Sequence, residues 1–459
     1  MQSAKYGDVQ TGKLRALVFL FFPILLISFS TYMPLFMEKL FLGRISEQAI
    51  EIAVNAAYLS HIVQIPCIAL AMMAQVYVGR WFGAQDYKAI GPGIWQLIWF
   101  SFLSTLITLP VGWFSGNSYF QGTPLEAEGL PYCHFLIAIN FLYPLGAALS
   151  CFYLGQGKAR TVVIATIGAQ LIKLVFAYLL IFGYGSWIPR LELMGGAIST
   201  LMAQGSFCLF LFWKFFSSKN NKLFHSRAWY FHPKLFWECV RPGLLRAVNR
   251  ISSLTAWMLT AALLKAKGGD YLLSFSIGGI LFLFLPFLGD AICQAQTTIV
   301  SQILGSKSYS FLNKALRSGC VLVAIIIALA SIPLVVFPVT TFELLFPTIP
   351  LALSSIKSIF FGVWLSFAFF VFGFLPISYI LAFKDMKFSL LMGGVCWVTG
   401  YLFMYVAIEK MQMGADQFWI FLSVSHASSL AFYWLRMRWL QSRLLASDAL
   451  VAAKSSLSL

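Results

Sequence analysis

The chain has 459 residues, 60% hydrophobic and only 10% charged, with a formal net charge of +16 and a mean hydropathy of +0.82. Soluble proteins carry about 25% charged residues, so this composition excludes a water-soluble body of this size and makes the bilayer the solvent for most of the chain. The basic excess would suit nucleic acid, but most Lys and Arg lie in short loops between apolar runs, as membrane topology requires, which argues against a nucleic-acid partner.

The polar stretch Met1 to Lys13 leads into a long apolar run without a small-residue cleavage site, which predicts a retained first span. A spanning helix needs about 20 apolar residues. Spans are predicted near 14–42, 51–80, 89–114, 130–153, 160–183, 194–214, 238–264, 270–303, 310–338, 350–382, 387–408 and 413–436. The expected fold is therefore an all-α polytopic membrane protein of about 12 transmembrane helices. The eight cysteines fall inside or beside apolar runs, form no CxxC and read as small core residues.

Alternate loops carry the positive charge. With the N-terminus inside, the inner segments hold 22 Lys and Arg, from Lys5 to Lys454, against five outside (Arg44, Arg190, Lys265, Lys267 and Lys410). That asymmetry predicts a multi-pass inner-membrane protein with both termini cytoplasmic.

The sequence also repeats itself. Val78-Gly79-Arg80-Trp81-Phe82-Gly83-Ala84-Gln85-Asp86-Tyr87 closes the second span, and Val300-Ser301-Gln302-Ile303-Leu304-Gly305-Ser306-Lys307-Ser308-Tyr309 closes the eighth, 222 residues later. Pro23 and Pro242 stand early in spans one and seven, 219 apart. Leu154–Arg160 after span four matches Leu381–Lys387 after span ten. Such anchors indicate duplication into two parallel six-helix repeats, 1–214 and 238–459, joined by a cytoplasmic linker, 215–237. Duplicated halves around a midplane cavity suit alternating access, and a monomer suffices for a complete pathway. No nucleophile–base pattern, P-loop or GxGxxG points to an enzyme.

The same anchors resemble the multidrug and toxin extrusion (MATE) family, in its NorM-like branch. Met37-Glu38-Lys39-Leu40-Phe41-Leu42-Gly43-Arg44 is similar to the family's first-span ending, in which an apolar residue, Asp and a short apolar run lead to Gly-Arg. Pro23 precedes Glu38 as the family's first-span Pro precedes its Asp. Ala74 through Gly83 resembles the second-span ending, and Ala382-Phe383-Lys384-Asp385-Met386 resembles the branch's Gly-Tyr-Lys-Asp-Met. The resemblance implies efflux of small organic compounds across the bilayer, driven by inward H⁺ or Na⁺ flow, with no cofactor beyond the coupling ion.

Ionisable groups at bilayer depth cost about 2.5–3.5 kcal/mol on insertion scales, so each needs a partner or a wet site. Glu38 stands where the family keeps its coupling carboxylate; it reads either as a proton carrier or as a span-end charge paired with Lys39 or Arg44. In span five the family carries Asn and, four residues later, Asp; here those places hold Lys173 and Ala177. One ligand is lost and the other is a cation, which argues against Na⁺ and for proton exchange, or a fixed pair, between Glu38 and Lys173. In span seven Arg250 stands where the resembled branch has Glu, and Arg246 shares its helix face. Asp290 in span eight is a candidate coupling group and a candidate partner for Arg250. Phe370 stands where the branch has an Asp in span ten.

The two guanidinium groups suit a carboxylate or phosphate. An anionic or zwitterionic substrate is therefore expected, bound by Arg246, Arg250 and Asn249 and stacked on Trp257 and Phe370. The alternative is a flippase for lipid-linked oligosaccharide or lipid, which would use the same basic groups to hold pyrophosphate.

Overall fold

The computed structural model describes residues 12–456 apart from Ser186, leaving aside the side chains of 31–36, 283–284 and 447–456. Lys5 and the side chain of Lys454, counted in the charge balance, lie outside this description. The described residues form helices in this order: α1 Leu14–Gly43, α2 Glu47–Ala71, α3 Ala74–Gly83, α4 Ile90–Leu103, α5 Thr105–Phe120, α6 Glu126–Ala138, α7 Leu142–Gly155, α8 Ala159–Phe182 and α9 Glu192–Phe215. The short α10 Ser218–Phe224 leads to α11 Pro233–Lys267, α12 Gly269–Gly305, α13 Leu312–Ser331, α14 Pro338–Leu345, α15 Leu353–Phe383, α16 Met386–Glu409 and α17 Phe418–Ser456. Nine continuous helical stretches among the described residues are long and apolar enough to cross a membrane, and ten with the bent pair Gly269–Phe282 and Leu285–Gly305. The sequence-derived spans sit on these rods and on α1 and α11.

Breaks within rods follow local chemistry. Pro66 inside α2 removes a hydrogen-bond donor nearly two turns before the break at Met72–Met73. At Ser104 the α4–α5 rod breaks where the hydroxyls of Ser101 and Ser104 bond back to Leu97 and Ser101 carbonyls. The α6–α7 rod breaks at residues 139–141, just before Pro144.

Contacts gather the chain into two compact units, one of Phe22–Arg250 (the N-terminal unit) and one of Met1–Phe21 with Ile251–Leu459 (the C-terminal unit). Similar span-end turns recur in the backbone at the spacing of the sequence anchors. Gln85 and Lys307, 222 apart, both take a left-handed turn, with φ of 61° and 56°. Each turn is closed by an equivalent bond, Asp86 N to Trp81 O at 2.9 Å and Ser308 N to Ile303 O at 3.2 Å. A 3₁₀ turn then begins at Tyr87 and at Tyr309. Gly157 and Lys384 repeat the device after α7 and α15, with φ of 79° and 61°.

In the N-terminal unit small residues let helices approach closely. A Cβ on Gly195 of α9 would lie 2.6 Å from the Leu180 backbone of α8, and one on Gly155 2.7 Å from Val78. The C-terminal unit packs Leu264, Ile277, Phe360, Val363, Phe418 and Trp419 into its core. Outward faces are apolar, as lipid demands: Leu106, Ile107 and Phe114 of α5 are about 70% exposed.

Candidate functional site: a buried ion pair in the N-terminal unit

Glu38 lies in the penultimate turn of α1, and Lys173 lies at mid-length in α8. Lys173 Nζ stands 2.6 Å from Glu38 Oε2, with the two side chains 5% and 9% exposed. The sequence reading left open whether Glu38 pairs locally; its ion-pair partner is Lys173 on another helix, and Lys39 is exposed.

Several other helices complete the surroundings. Tyr132 of α6 hydrogen-bonds the Glu38 carboxylate. Tyr143 of α7 hydrogen-bonds Gln64 of α2, which is itself buried. His61, one turn before Gln64, feels the charges of Lys39 and Lys173. Gly196 of α9 faces the other carboxylate oxygen: a Cβ there would lie 2.8 Å from Oε1. Removing two charges from water is costly, and the cost is recovered only with good geometry and extra hydrogen bonds. The short Lys173 contact and the Tyr132 hydroxyl supply both. Sequence reasoning reached Glu38 and Lys173. It missed Tyr132, Tyr143 and Gly196, whose signal, a phenol or a glycine inside an apolar run, is shared with many packing residues.

The other candidates fall into two sets. On the N-terminal half of α11, within the N-terminal unit, Arg246 is half-buried with Nη1 4.0 Å from Met73 Sδ, and Arg250 is exposed. Between them Asn249 is half-buried, and its amide oxygen is enclosed without a hydrogen bond. Asp290, Trp257 and Phe370 belong to the C-terminal unit. There Trp257 packs on Phe275 at 5.3 Å and on Trp419 at 6.4 Å. Phe370 packs on Phe282 at 5.5 Å, and Phe282 on Trp419 at 5.4 Å. Trp257 and Phe370 thus share one aromatic cluster, while Asp290 is half-buried on α12. His426 of α17, which sequence reasoning overlooked, lies parallel to the Phe282 ring at 6.2 Å, its Nδ1 buried without a hydrogen bond.

This polytopic helical bundle is similar to known membrane proteins. Residues 23–179 match the MatE family model. The chain is 23% identical over 312 residues to the "Probable multidrug resistance protein NorM" of Thermotoga maritima, a match that takes in 66% of this chain and spans 65% of that relative's length. A solved chain described as "Outward-facing conformation of a multidrug resistance MATE family transporter of the MOP superfamily" superposes with a TM-score of 0.82 at 14% identity, over 95% of this chain and 98% of that one. Another is described as "Reverse polarity of binding pocket suggests different function of a MOP superfamily transporter from Pyrococcus furiosus Vc1 (DSM3638)". It superposes with a TM-score of 0.81 at 16% identity, over 95% and 98%. Both solved chains are described as transporters.

Proposed function

We propose that the chain is a secondary active exporter of small organic compounds that works by alternating access and proton antiport, with an anionic or zwitterionic substrate. The observation that carries the coupling is the Lys173 ammonium, 2.6 Å from Glu38 in a buried site. A tethered cation there takes the place that a free Na⁺ would need, and repels any that approaches. The pair is neutral as it stands. One proton on Glu38 leaves a buried ammonium without its counter-charge, a state that costs several kcal/mol. That cost favours a conformer in which water or an anion reaches Lys173, so proton uptake and conformational change become linked. Tyr132 is placed to hold the carboxylate through the cycle.

The substrate reading rests on Arg246 and Arg250, one helical turn apart on α11, with Asn249 beside them. It gains support from the reversed pocket polarity ascribed to the Pyrococcus relative. The inward position of both termini follows from the charge asymmetry of the loops.

The test is transport by the purified chain in liposomes under imposed pH and Na⁺ gradients, with a cationic dye and an organic anion side by side. Anion movement driven by ΔpH, lost in Glu38→Gln and in Arg250→Glu, is expected. Dye movement that survives Arg250→Glu would overturn the substrate reading. Drive by Na⁺ alone would overturn the coupling. Scrambling of a labelled lipid without a gradient would favour the flippase.

A further inference from the structure

The segment between α9 and α11 is pinned to the N-terminal unit by its backbone. Trp95 Nε1 donates to Ser226 O at 2.8 Å, Gln96 Nε2 to Tyr230 O at 3.1 Å and Trp99 Nε1 to Trp229 O at 3.1 Å. Gln96 Oε1 in turn accepts from His232 N at 3.1 Å. All three side chains come from one turn of α4. Gly91 lets the strands of chain touch, since a Cβ there would lie 2.3 Å from Phe224 O. Arg227 closes the turn by donating Nε and Nη2 to Phe216 O at 3.2 and 3.1 Å.

This grip uses the carbonyls and leaves the side chains outward. Trp229, Tyr230 and Phe231 are 66%, 54% and 47% exposed, flanked by Trp213 and Trp237 at 69% and 56%. The Phe231 ring packs on Phe236 at 5.0 Å, while Trp229 and Tyr230 keep more than half of their surface open. Around them stand Lys214, Lys219, Lys222, Arg227, Lys234 and Arg241, against one acid, Glu238. Lys219, Lys222 and Lys234 are exposed. Indole and phenol rings favour the membrane–water boundary, and a dense basic segment there attracts anionic headgroups.

We propose that residues 213–237 form a binding strap for anionic phospholipid headgroups, with Trp229, Tyr230 and Phe231 seated at the bilayer boundary and Lys219, Lys222 and Lys234 on the phosphates. An anionic leaflet matches the strap in both charge and aromatic character. A soluble protein partner would have to cover the rings while competing with lipid for the same plane. The inference holds whatever the chain transports.

The experiment uses the full chain in nanodiscs of phosphatidylcholine alone and of phosphatidylcholine with phosphatidylglycerol. Hydrogen exchange of residues 225–237, thermal stability and retention of phosphatidylglycerol on gentle delipidation are read together. Phosphatidylglycerol should protect the strap, raise Tm and stay bound, and added salt should weaken all three. Each Lys→Gln change at 219, 222 or 234 should weaken retention about fivefold, with the N-terminal unit's exchange elsewhere unchanged. Trp229→Ala with Phe231→Ala, which leaves the carbonyl clamp in place, should lose strap protection in both lipids. Equal phosphatidylglycerol retention in the triple Gln variant would overturn the proposal. So would strap protection that is independent of lipid and rises with protein concentration, which would assign the face to a second copy.

Discussion

The two units share a span plan and differ in what fills it. The N-terminal unit buries a polar cluster: Glu38, Lys173, Tyr132, Gln64 and Tyr143 meet across several helices. The C-terminal unit holds an aromatic cluster, with Trp257, Phe275, Phe282, Phe370 and Trp419 packed ring to ring. The repeat aligns these differences. At the offset set by Pro23 and Pro242, Glu38 corresponds to Trp257. At the offset set by the turns after α7 and α15, Lys173 corresponds to Gly400, where a Cβ would lie 2.5 Å from Ser425 Oγ. One copy of the fold has kept an acid–base pair where the other has an indole and a close helix contact. Duplication conserves the turns that set helix ends and leaves the interior free to diverge.

The contrast can be broken from either side. The largest effect is expected in the aromatic unit. Trp419→Ala empties a fully buried site and removes the bond from Nε1 to Ser274 O, for a loss of about 3–5 kcal/mol, read as a fall in Tm in detergent. In the polar unit Lys173→Met leaves Glu38 buried and uncompensated, which costs about 3–5 kcal/mol, whereas Lys173→Met with Glu38→Gln recovers most of it. A double variant no more stable than the single would show that the pair is not coupled. Trp257→Glu tests the contrast differently: without a lysine at position 400 the new carboxylate has no repeat partner, so it should destabilise rather than create a second coupling site.

Gly196→Ala is a finer probe. Its methyl would press on Glu38 Oε1 at 2.8 Å, and overpacking of this kind costs about 1–3 kcal/mol. Transport should fall more than stability, because the displaced atom belongs to the proposed coupling group. The smallest effect concerns Lys158, in the loop between α7 and α8. Burial, and then repulsion from Lys219, push its ammonium down to about 8, while the Phe224 ring 5.3 Å away pulls the other way. The folded chain thus gives up this proton before the unfolded chain does. Stability rises with pH from about 8 toward the ordinary lysine range near 10.4. Lys158→Met should flatten that rise in Tm.

Sequence carried the architecture because apolar length and loop charge are local signals. It also carried the recurring span-end turns, since the left-handed residues Gln85 and Lys307 each sit in a similar polar run after a span. It left Glu38 between local and distant partners, because choosing Lys173 needs the packing of α1 on α8. The α4 clamp was invisible for a different reason: its acceptors are backbone carbonyls of residues 226–230, which leave no mark in residue identity. His426 went unnoticed as a single histidine in an apolar run, although its ring joins the aromatic cluster through Phe282 and Phe370.

The central claim is that Lys173 replaces a free ion at Glu38. Thermal stability of the purified chain, compared in NaCl and KCl at equal ionic strength for the wild type and for Lys173→Asn with Ala177→Asp, tests it directly. The account predicts no Na⁺-specific shift in the wild type and a Na⁺-specific rise in Tm in the variant, whose new oxygens can bind the ion beside Glu38. A Na⁺-specific rise in the wild type would contradict it.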